Sequence, residues 1–214
     1  MPDRDPESGS IVVSGTGRVA VEADLADLRL GVTLARPTVD EARAEAASTM
    51  AAILAAVDQA GVERRDVRTT LLSVQPRYDY RDGKAPSLTG YELANVVEIV
   101  VRDLAQLGDV VDGTLRAGAT SMHGLSFRVA DPAPAEREAR VRAMAEARAR
   151  AEVLAEAAGL SIEGVSDIVE GSPMRPPMPI AKAERMLLAS DASTPVEAGS
   201  LEIVVTVSVT YRAR

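Results

Sequence analysis

The stretch Leu201-Glu-Ile-Val-Val-Thr-Val-Ser-Val-Thr-Tyr-Arg212 decides the fold class. Leu201, Ile203, Val205, Val207, Val209 and Tyr211 share one parity, while Glu202, Thr206, Ser208, Thr210 and Arg212 share the other. Side chains alternate across a strand, so this period of two predicts a β-strand with one face buried. A strand this regular is expected to lie inside a sheet, and the N-terminal segment is the candidate to pair with it.

The N-terminal segment shows the same period. From Ile11 onward, Val19 and Val21 alternate with Arg18 and Glu22. After a turn at Ala23-Asp24, Leu28, Leu30, Val32 and Leu34 alternate with Asp27, Arg29, Gly31 and Thr33. Two adjacent alternating runs predict a hairpin. Residues 1–10 are predicted to be a disordered tail.

Between these ends the period changes to that of a helix. Thr38-Val39-Asp40-Glu41 fits a capping box, and Val39, Ala42, Ala46, Met50, Ile53 and Val57 follow at three- and four-residue steps. Gly61 offers a left-handed stop, so a helix is predicted over 39–60. Strands are predicted over 67–78 and 91–101, joined by a polar loop at 79–90 with Asp82-Gly83 as its turn. A second helix is expected over 104–117. A fifth strand carries His123, Leu125, Phe127 and Val129 at one parity.

Asp131-Pro132 precedes the longest helix, 133–158, with an expected apolar stripe of Val141, Met144, Ala147, Ala151, Leu154 and Ala158. Glu138–Arg142, Glu146–Arg150 and Arg148–Glu152 sit four apart on its wet sides, each worth about 0.2–0.5 kcal/mol. A short strand at 165–170 follows. Ser172–Pro179 holds four prolines and is expected to be irregular, with a loose excursion over 180–199. The order β-β-α-β-β-α-β-α-β-β predicts an α+β fold, with largely antiparallel sheets and helices on one face.

Composition excludes much chemistry. The chain has 214 residues, 46% of them hydrophobic, so a packed core is within reach. There are 36 alanines against 2% aromatics, with no Trp and one Phe, so the core must be aliphatic and small. No Cys means no disulfide, thiol nucleophile or Cys-type zinc site. One His cannot supply a two- or three-His metal site within a single chain. No cofactor motif stands out, and neither a metal nor a cofactor is expected. The net charge of −8 and the scarcity of stacking rings argue against nucleic acid. No apolar run approaches a membrane span. The start, MPDRDPESGS, is acidic and has no apolar run after it; as written it predicts a cytoplasmic chain.

Candidate sites are few. Gly15-Thr-Gly17-Arg-Val-Ala20 fits a loose dinucleotide fingerprint, but a helix must begin there to hold a pyrophosphate. The strand instead continues, so Gly15 and Gly17 mark a bulge or a close backbone contact. His123 reads as a packed or interface-facing side chain, with a catalytic base as the alternative. Asp79 and Asp82 with Tyr78 and Tyr80 could hold a hard cation loosely but lack calcium-loop spacing, so a solvated loop is the simpler reading. Pro173-Met174-Arg175-Pro176-Pro177-Met178-Pro179 is either a flexible loop or a polyproline ligand for a partner.

Several short matches run in order along almost the whole chain. They are Ile11-Val-Val-Ser-Gly-Thr-Gly17, Ala23-Asp24-Leu-Ala26, Ala60-Gly61-Val62 and Asp66-Val-Arg-Thr69, then Pro76-Arg-Tyr78-Asp79-Tyr80 and Gly90-Tyr91-Glu-Leu-Ala-Asn95. Ala117-Gly118-Ala119, Gly124-Leu-Ser-Phe127, the Ala-rich run 143–159 and Thr194-Pro195-Val196-Glu197-Ala-Gly199 complete the set. Together these resemble the SIMPL domain family (DUF541), which includes YggE-like and 26 kDa periplasmic antigen-like proteins. Ala23 stands where the family often has Pro.

The resemblance implies one SIMPL domain over 11–214. The order of the elements leaves room for a split near residue 103 or 130, into two intimately packed subdomains at about 11–102 and 103–214, although no linker separates the halves. It implies an α+β fold, no established catalytic activity and no cofactor. It also implies bacterial, often exported, homo-oligomeric proteins loosely linked to stress responses. The family's motif positions in this chain, which are also the candidate interaction positions, are Gly15, Gly17, Asp24, Tyr78, Tyr80, Gly90, Tyr91, Asn95, Phe127 and Pro195.

Three functions remain open on sequence alone. The first is a non-enzymatic, homo-oligomeric assembly module. The second is a ligand- or peptide-binding module using the 78–91 or 172–180 loop, which would bring in a protein partner. The third is a hydrolase using His123.

Overall fold

A computed structural model describes residues 9–80, 85–171 and 194–214, and the backbone of 178–180. The fold is α+β, with three α-helices and two antiparallel sheets among the described residues. In chain order the elements are β1 (Gly9–Glu22), β2 (Leu25–Arg36), α1 (Val39–Gln59), β3 (Val67–Asp79), β4 (Ser87–Val101), α2 (Leu107–Arg116), β5 (Ser121–Arg128), α3 (Ala133–Ala157), β6 (Ile162–Glu170), β7 (Met178–Ile180) and β8 (Ser200–Ala213).

The elements divide into two compact units that interleave in sequence. The terminal unit holds β1, α3, β6, β7 and β8; the central unit holds β2–β5, α1, α2 and residues 194–198. The contacts therefore do not divide the chain into consecutive halves near residue 102. The physical reason is the pairing of the two ends: β1 and β8 run antiparallel in unbroken register from Gly9–Ala213 to Glu22–Ser200.

The terminal sheet has β8 between β1 and β6, with β7 also paired to β8. β8 is internal, as its alternation predicts, and Leu201, Ile203, Val205, Val207, Val209 and Tyr211 are all buried. The predicted β1–β2 hairpin does not form. β1 pairs with β8, while β2 lies between β4 and β5 in the other sheet. Alternation reports that a strand has a buried face, not which strand lies beside it. Gly9 and Ser10, expected in a disordered tail, already belong to β1; the rest of that tail lies outside the described residues.

The helix α3 covers the terminal sheet with Ala139, Ala143, Ala147, Ala151 and Ala155, all buried. This corrects the expected stripe. Val141 and Leu154 are 69% and 50% exposed, and the buried row is alanine at every fourth residue. Gly15 and Gly17 explain the choice. A Cβ on Gly17 would stand 1.8 Å from the Ala139 carbonyl oxygen, and one on Gly15 would stand 2.0 Å from that of Ala143. Only Ala facing Gly allows helix and strand backbones this close.

The central sheet has the order β3-β4-β2-β5. α1 buries Ala42, Ala46, Met50, Ile53 and Val57 against it at the spacing the sequence predicts, but Val39, expected in the same row, is exposed in the first turn. Its N-terminus is capped by Thr38, whose Oγ1 accepts from the Glu41 amide at 3.3 Å. The second predicted helix splits into a 3-10 turn at Leu104–Gln106 and α2, which adds Leu107, Val110 and Val111 to the same core. β3 and β4 extend into the predicted 79–90 loop, of which 81–84 lie outside the described residues. Of the proline-rich segment, Met178–Ile180 forms the short strand β7 rather than irregular chain; 172–177 and 181–193 lie outside the described residues.

Candidate functional site

The outer face of the central sheet, opposite the helices, is where its charge gathers. Arg29 on β2, Glu98 on β4 and Arg68 on β3 stand directly opposite one another in register. The Glu98 side chain is only 10% exposed and is held by two guanidinium groups. Arg29 Nε donates to its Oε2 at 2.9 Å, and Arg68 Nη2 donates to its Oε1 at 2.6 Å. These hydrogen bonds, that of Arg29 first, hold the Glu98 carboxyl below its usual range against the opposing effect of burial. Beside it, Arg128 Nε donates to Asp27 Oδ2 at 2.7 Å. Asp66 is buried at the foot of β3, and Arg102 grips it by donating from Nε to Oδ2 at 2.7 Å and from Nη2 to Oδ1 at 2.6 Å. That hydrogen bonding holds the Asp66 carboxyl below its ordinary value.

A cavity of about 310 Å³ opens on this face, lined by Asp27, Arg29, Glu98, His123, Gly124, Leu125 and Ser126. His123 does not pack inward as its strand parity suggests. Arg29 pairs with Gly124 and Leu30 with Met122, so His123 is the unmatched residue of a β-bulge and is exposed. The two carboxylates in its cavity are each committed to arginine. Among the described residues, no group of three or more His, Asp or Glu is placed to hold a metal ion.

The motif positions scatter over both units. Gly15 and Gly17 form the close β1–α3 contact in the terminal unit. Asp24 is exposed where its backbone N–H donates to the Arg128 carbonyl at 3.2 Å. Tyr78 and Tyr80 are 47% and 75% exposed, their rings 6.3 Å apart and tilted. Gly90 has φ of 144°, and a Cβ there would meet the Arg36 carbonyl oxygen at 2.6 Å. Tyr91 pairs across the sheet with Arg36 and Pro76. Asn95 faces the helices between Val32 and Leu72, and its Oδ1 is buried with no hydrogen-bond partner among the described residues. Phe127, opposite Ala26, packs against the central core. Pro195 is exposed between two anchors: Thr194, bonded through Oγ1 to Asp112 at 2.6 Å, and Val196, packed on the core. The bond from Thr194 also holds the Asp112 carboxyl below its usual value. Tyr78, Tyr80, Gly90 and Tyr91 do gather at one end of the β3–β4 pair; the remaining positions do not converge on them.

Sequence reasoning missed a row on α3. Arg142, Glu146 and Arg150 reach the free edge of β1. Arg142 donates to the Arg18 carbonyl at 2.6 Å and Arg150 to the Ser14 carbonyl at 2.7 Å, while Glu146 accepts from the Thr16 amide. Glu146–Arg150 and Glu138–Arg142 were legible as i,i+4 pairs; their second bonds, to a strand some 130 residues away, leave no local signal. The basic members of the Glu98 cluster were equally invisible, because cross-strand partners are set by register.

The protein thus defined is a two-sheet α+β chain with a paired-ion face and an alanine-packed helix. It matches the SIMPL family, described as a protein of unknown function (DUF541), over residues 11–211. It is 35% identical to the 26 kDa periplasmic immunogenic protein of Brucella melitensis biotype 1 over 211 residues, which is 95% of this chain and 84% of the relative. It is 31% identical to the uncharacterized protein YggE of Escherichia coli (strain K12) over 150 residues, 70% of this chain and 61% of the relative. The chain belongs to the SIMPL family. No helix among the described residues is long and apolar enough to cross a membrane.

Proposed function

We propose that the chain is a non-enzymatic assembly module that works as a homo-oligomer. The observation that carries this reading is the outer side of α3. Val153 is 66% exposed there and Leu154 is half exposed. A groove of about 680 Å³ lies between that side of α3 and β1, lined by Val13, Ser14, Glu146, Ala149, Arg150, Val153 and Leu154. Val141, 69% exposed, stands about three turns before Val153 on the same helix, beyond the groove. Exposed apolar side chains gathered along a groove are a usual mark of a contact surface. The commitment of Asp27 and Glu98 to arginine supports the non-enzymatic part, since neither is free to orient His123 as a base.

Export rather than cytoplasmic residence is favoured by the name of the Brucella relative, which is periplasmic. The family resemblance supports a setting in the cell envelope or in stress responses. Light scattering coupled to size exclusion tests the assembly. A mass that is a multiple of 22.5 kDa, reduced by Val153→Glu with Leu154→Glu, is expected. A clean monomer at high concentration defeats it.

A further inference from the structure

Each sheet ends in strands whose backbone groups could accept another chain. In the terminal sheet, α3 side chains occupy the outer edge of β1. In the central sheet, β5 is only eight residues long and is bulged at His123. β3 differs from both. It has 13 residues; its register shifts at Thr70 and again after Arg77, and the seven-residue run Leu71–Arg77 between these shifts pairs with β4 without a bulge. α1 packs on β2 and β4, leaving β3 outside its cover. Leu72 and Val74 are consequently 69% and 43% exposed, and Leu71 is 44% exposed on the opposite face. Leu72 and Val74 face the helix side, opposite Asn95 and Leu93, and Leu71 faces the other side, opposite Val96. Pro76 has no N–H to give to a ladder, which is tolerated at an edge.

The charge on this edge says what fits it. Arg68 lies at one end with its side chain 70% exposed, and the Arg29–Glu98–Arg68 group keeps one positive charge in excess. Arg64 precedes it, and Arg77 stands at the other end; neither side chain has an ion pair or hydrogen bond among the described residues. The edge is therefore apolar in the middle and basic at both ends, in a chain whose net charge is −8. Two copies of β3 paired antiparallel about a two-fold axis would set Arg77 of one copy against the Arg64–Arg68 end of the other. Like charges facing each other disfavour that arrangement.

We infer that β3 is a docking edge for an extended segment of another polypeptide, apolar at alternate positions and acidic at both ends, added as a fifth strand of the central sheet. Strand addition supplies backbone hydrogen bonds, and the alternate side chains supply selectivity. The span from Arg68 to Arg77 is about 30 Å at roughly 3.3 Å per residue, which sets a segment of about nine residues. The inference stands apart from the assembly reading, because a monomer and an oligomer present the same edge.

The test is fluorescence anisotropy with a labelled acetyl-EEVTVTVEE peptide, its charge-reversed form KKVTVTVKK and its broken form EEVTPTVEE. Saturable binding of the acidic peptide is expected, one per chain, weakened by high salt and weakened at least about tenfold by Arg77→Glu or by Leu72→Glu. Both side chains are exposed, and thermal melts confirm that the variants are folded. The charge-reversed and proline-broken peptides should not bind. The inference is overturned if nothing saturates up to about 1 mM peptide, if the broken peptide binds as well as the intact one, or if both variants bind unchanged. A Leu72→Glu variant that lowers the oligomer's mass while no peptide binds also overturns it, and assigns the edge to a subunit contact. A wild-type chain that is monomeric yet binds the peptide defeats only the assembly reading.

Discussion

Arg150 donates to the carbonyl oxygen of Ser14 at 2.7 Å, joining a helix to the open edge of a strand 136 residues earlier. Its other terminal nitrogen holds Glu146 at 2.6 Å, and Glu146 in turn accepts from the Thr16 amide. Arg142 repeats the contact at the Arg18 carbonyl. The match is geometric. Four residues of helix advance about 6.0 Å, and two residues of strand advance about 6.8 Å. A row at 142, 146 and 150 therefore keeps step with backbone groups at 18, 16 and 14. The alanine row brings the helix close, and the charged row beside it closes the strand's edge.

Removing the middle member should open that edge locally. Glu146→Ala leaves the Thr16 amide without its acceptor, and amide exchange at Thr16 should accelerate. The stability loss should be only about 1 kcal/mol, because the Glu146 side chain is 37% exposed and water replaces part of the interaction. Removing both arginines, Arg142→Ala with Arg150→Ala, should also produce concentration-dependent association through β1. Unchanged protection at Thr16, followed by NMR, would mean that the carboxylate does not hold the edge.

The Gly17 position should tolerate no side chain at all. A Cβ there would meet the Ala139 carbonyl oxygen at 1.8 Å, so Gly17→Ala must push α3 away from β1. The loss should be at least about 3 kcal/mol, read from denaturant melts. The obstacle is backbone, so trimming its neighbour by Ala139→Gly should not restore stability. Recovery in the double variant would show that the helix can shift at little cost.

The same contact marks how far the sequence could be read. The alternation of Leu201–Tyr211 was legible because burial follows the strand period directly. The α1 core row was legible because the larger apolar side chains Met50, Ile53 and Val57 fall on one face with Ala42 and Ala46, and the apolar residues elsewhere on the helix are nearly all Ala. The buried face of α3 was not, because two rows compete: one rich in Val, Met and Leu, one made only of Ala. The larger side chains promise more buried area, but the glycines of β1 admit only the smaller row. Which strand lies beside β1, and the bulge that turns His123 outward, depend on register between distant segments, which no local window contains. The motif positions Tyr78 and Tyr91 pointed to one end of the β3–β4 pair, but the Arg29–Glu98–Arg68 cluster needed the register of three strands.

Acid should weaken the central unit through its two buried carboxylates. Glu98 and Asp66 titrate below their ordinary range when folded, held by Arg29 and Arg68 in one case and by Arg102 in the other. The unfolded chain therefore binds protons at a higher pH than the folded one. The pairs contribute fully above about pH 4.5, and their contribution is lost as pH falls through the folded-state values. Thermal melts of wild type and of Arg102→Met should differ most near neutral pH and converge on acidification. A gap between them that stays constant down to about pH 2 would show that Asp66 contributes nothing through its charge.

Asn95 should be a site where the native residue is not the most stable one. It sits between Val32 and Leu72 on the face toward the helices, and its Oδ1 is buried without a hydrogen-bond partner among the described residues. Leaving such an acceptor unmade costs about 1–3 kcal/mol. Asn95→Val removes the amide and supplies a β-branched side chain suited to a strand. Calorimetry should show a gain of about 1 kcal/mol, or roughly 2–4 °C in Tm for a chain of this size. A lower Tm would mean that the amide is satisfied in solution, by water or by a second chain. Repeating the melt at several protein concentrations separates those two cases, because only a second chain makes the loss concentration-dependent.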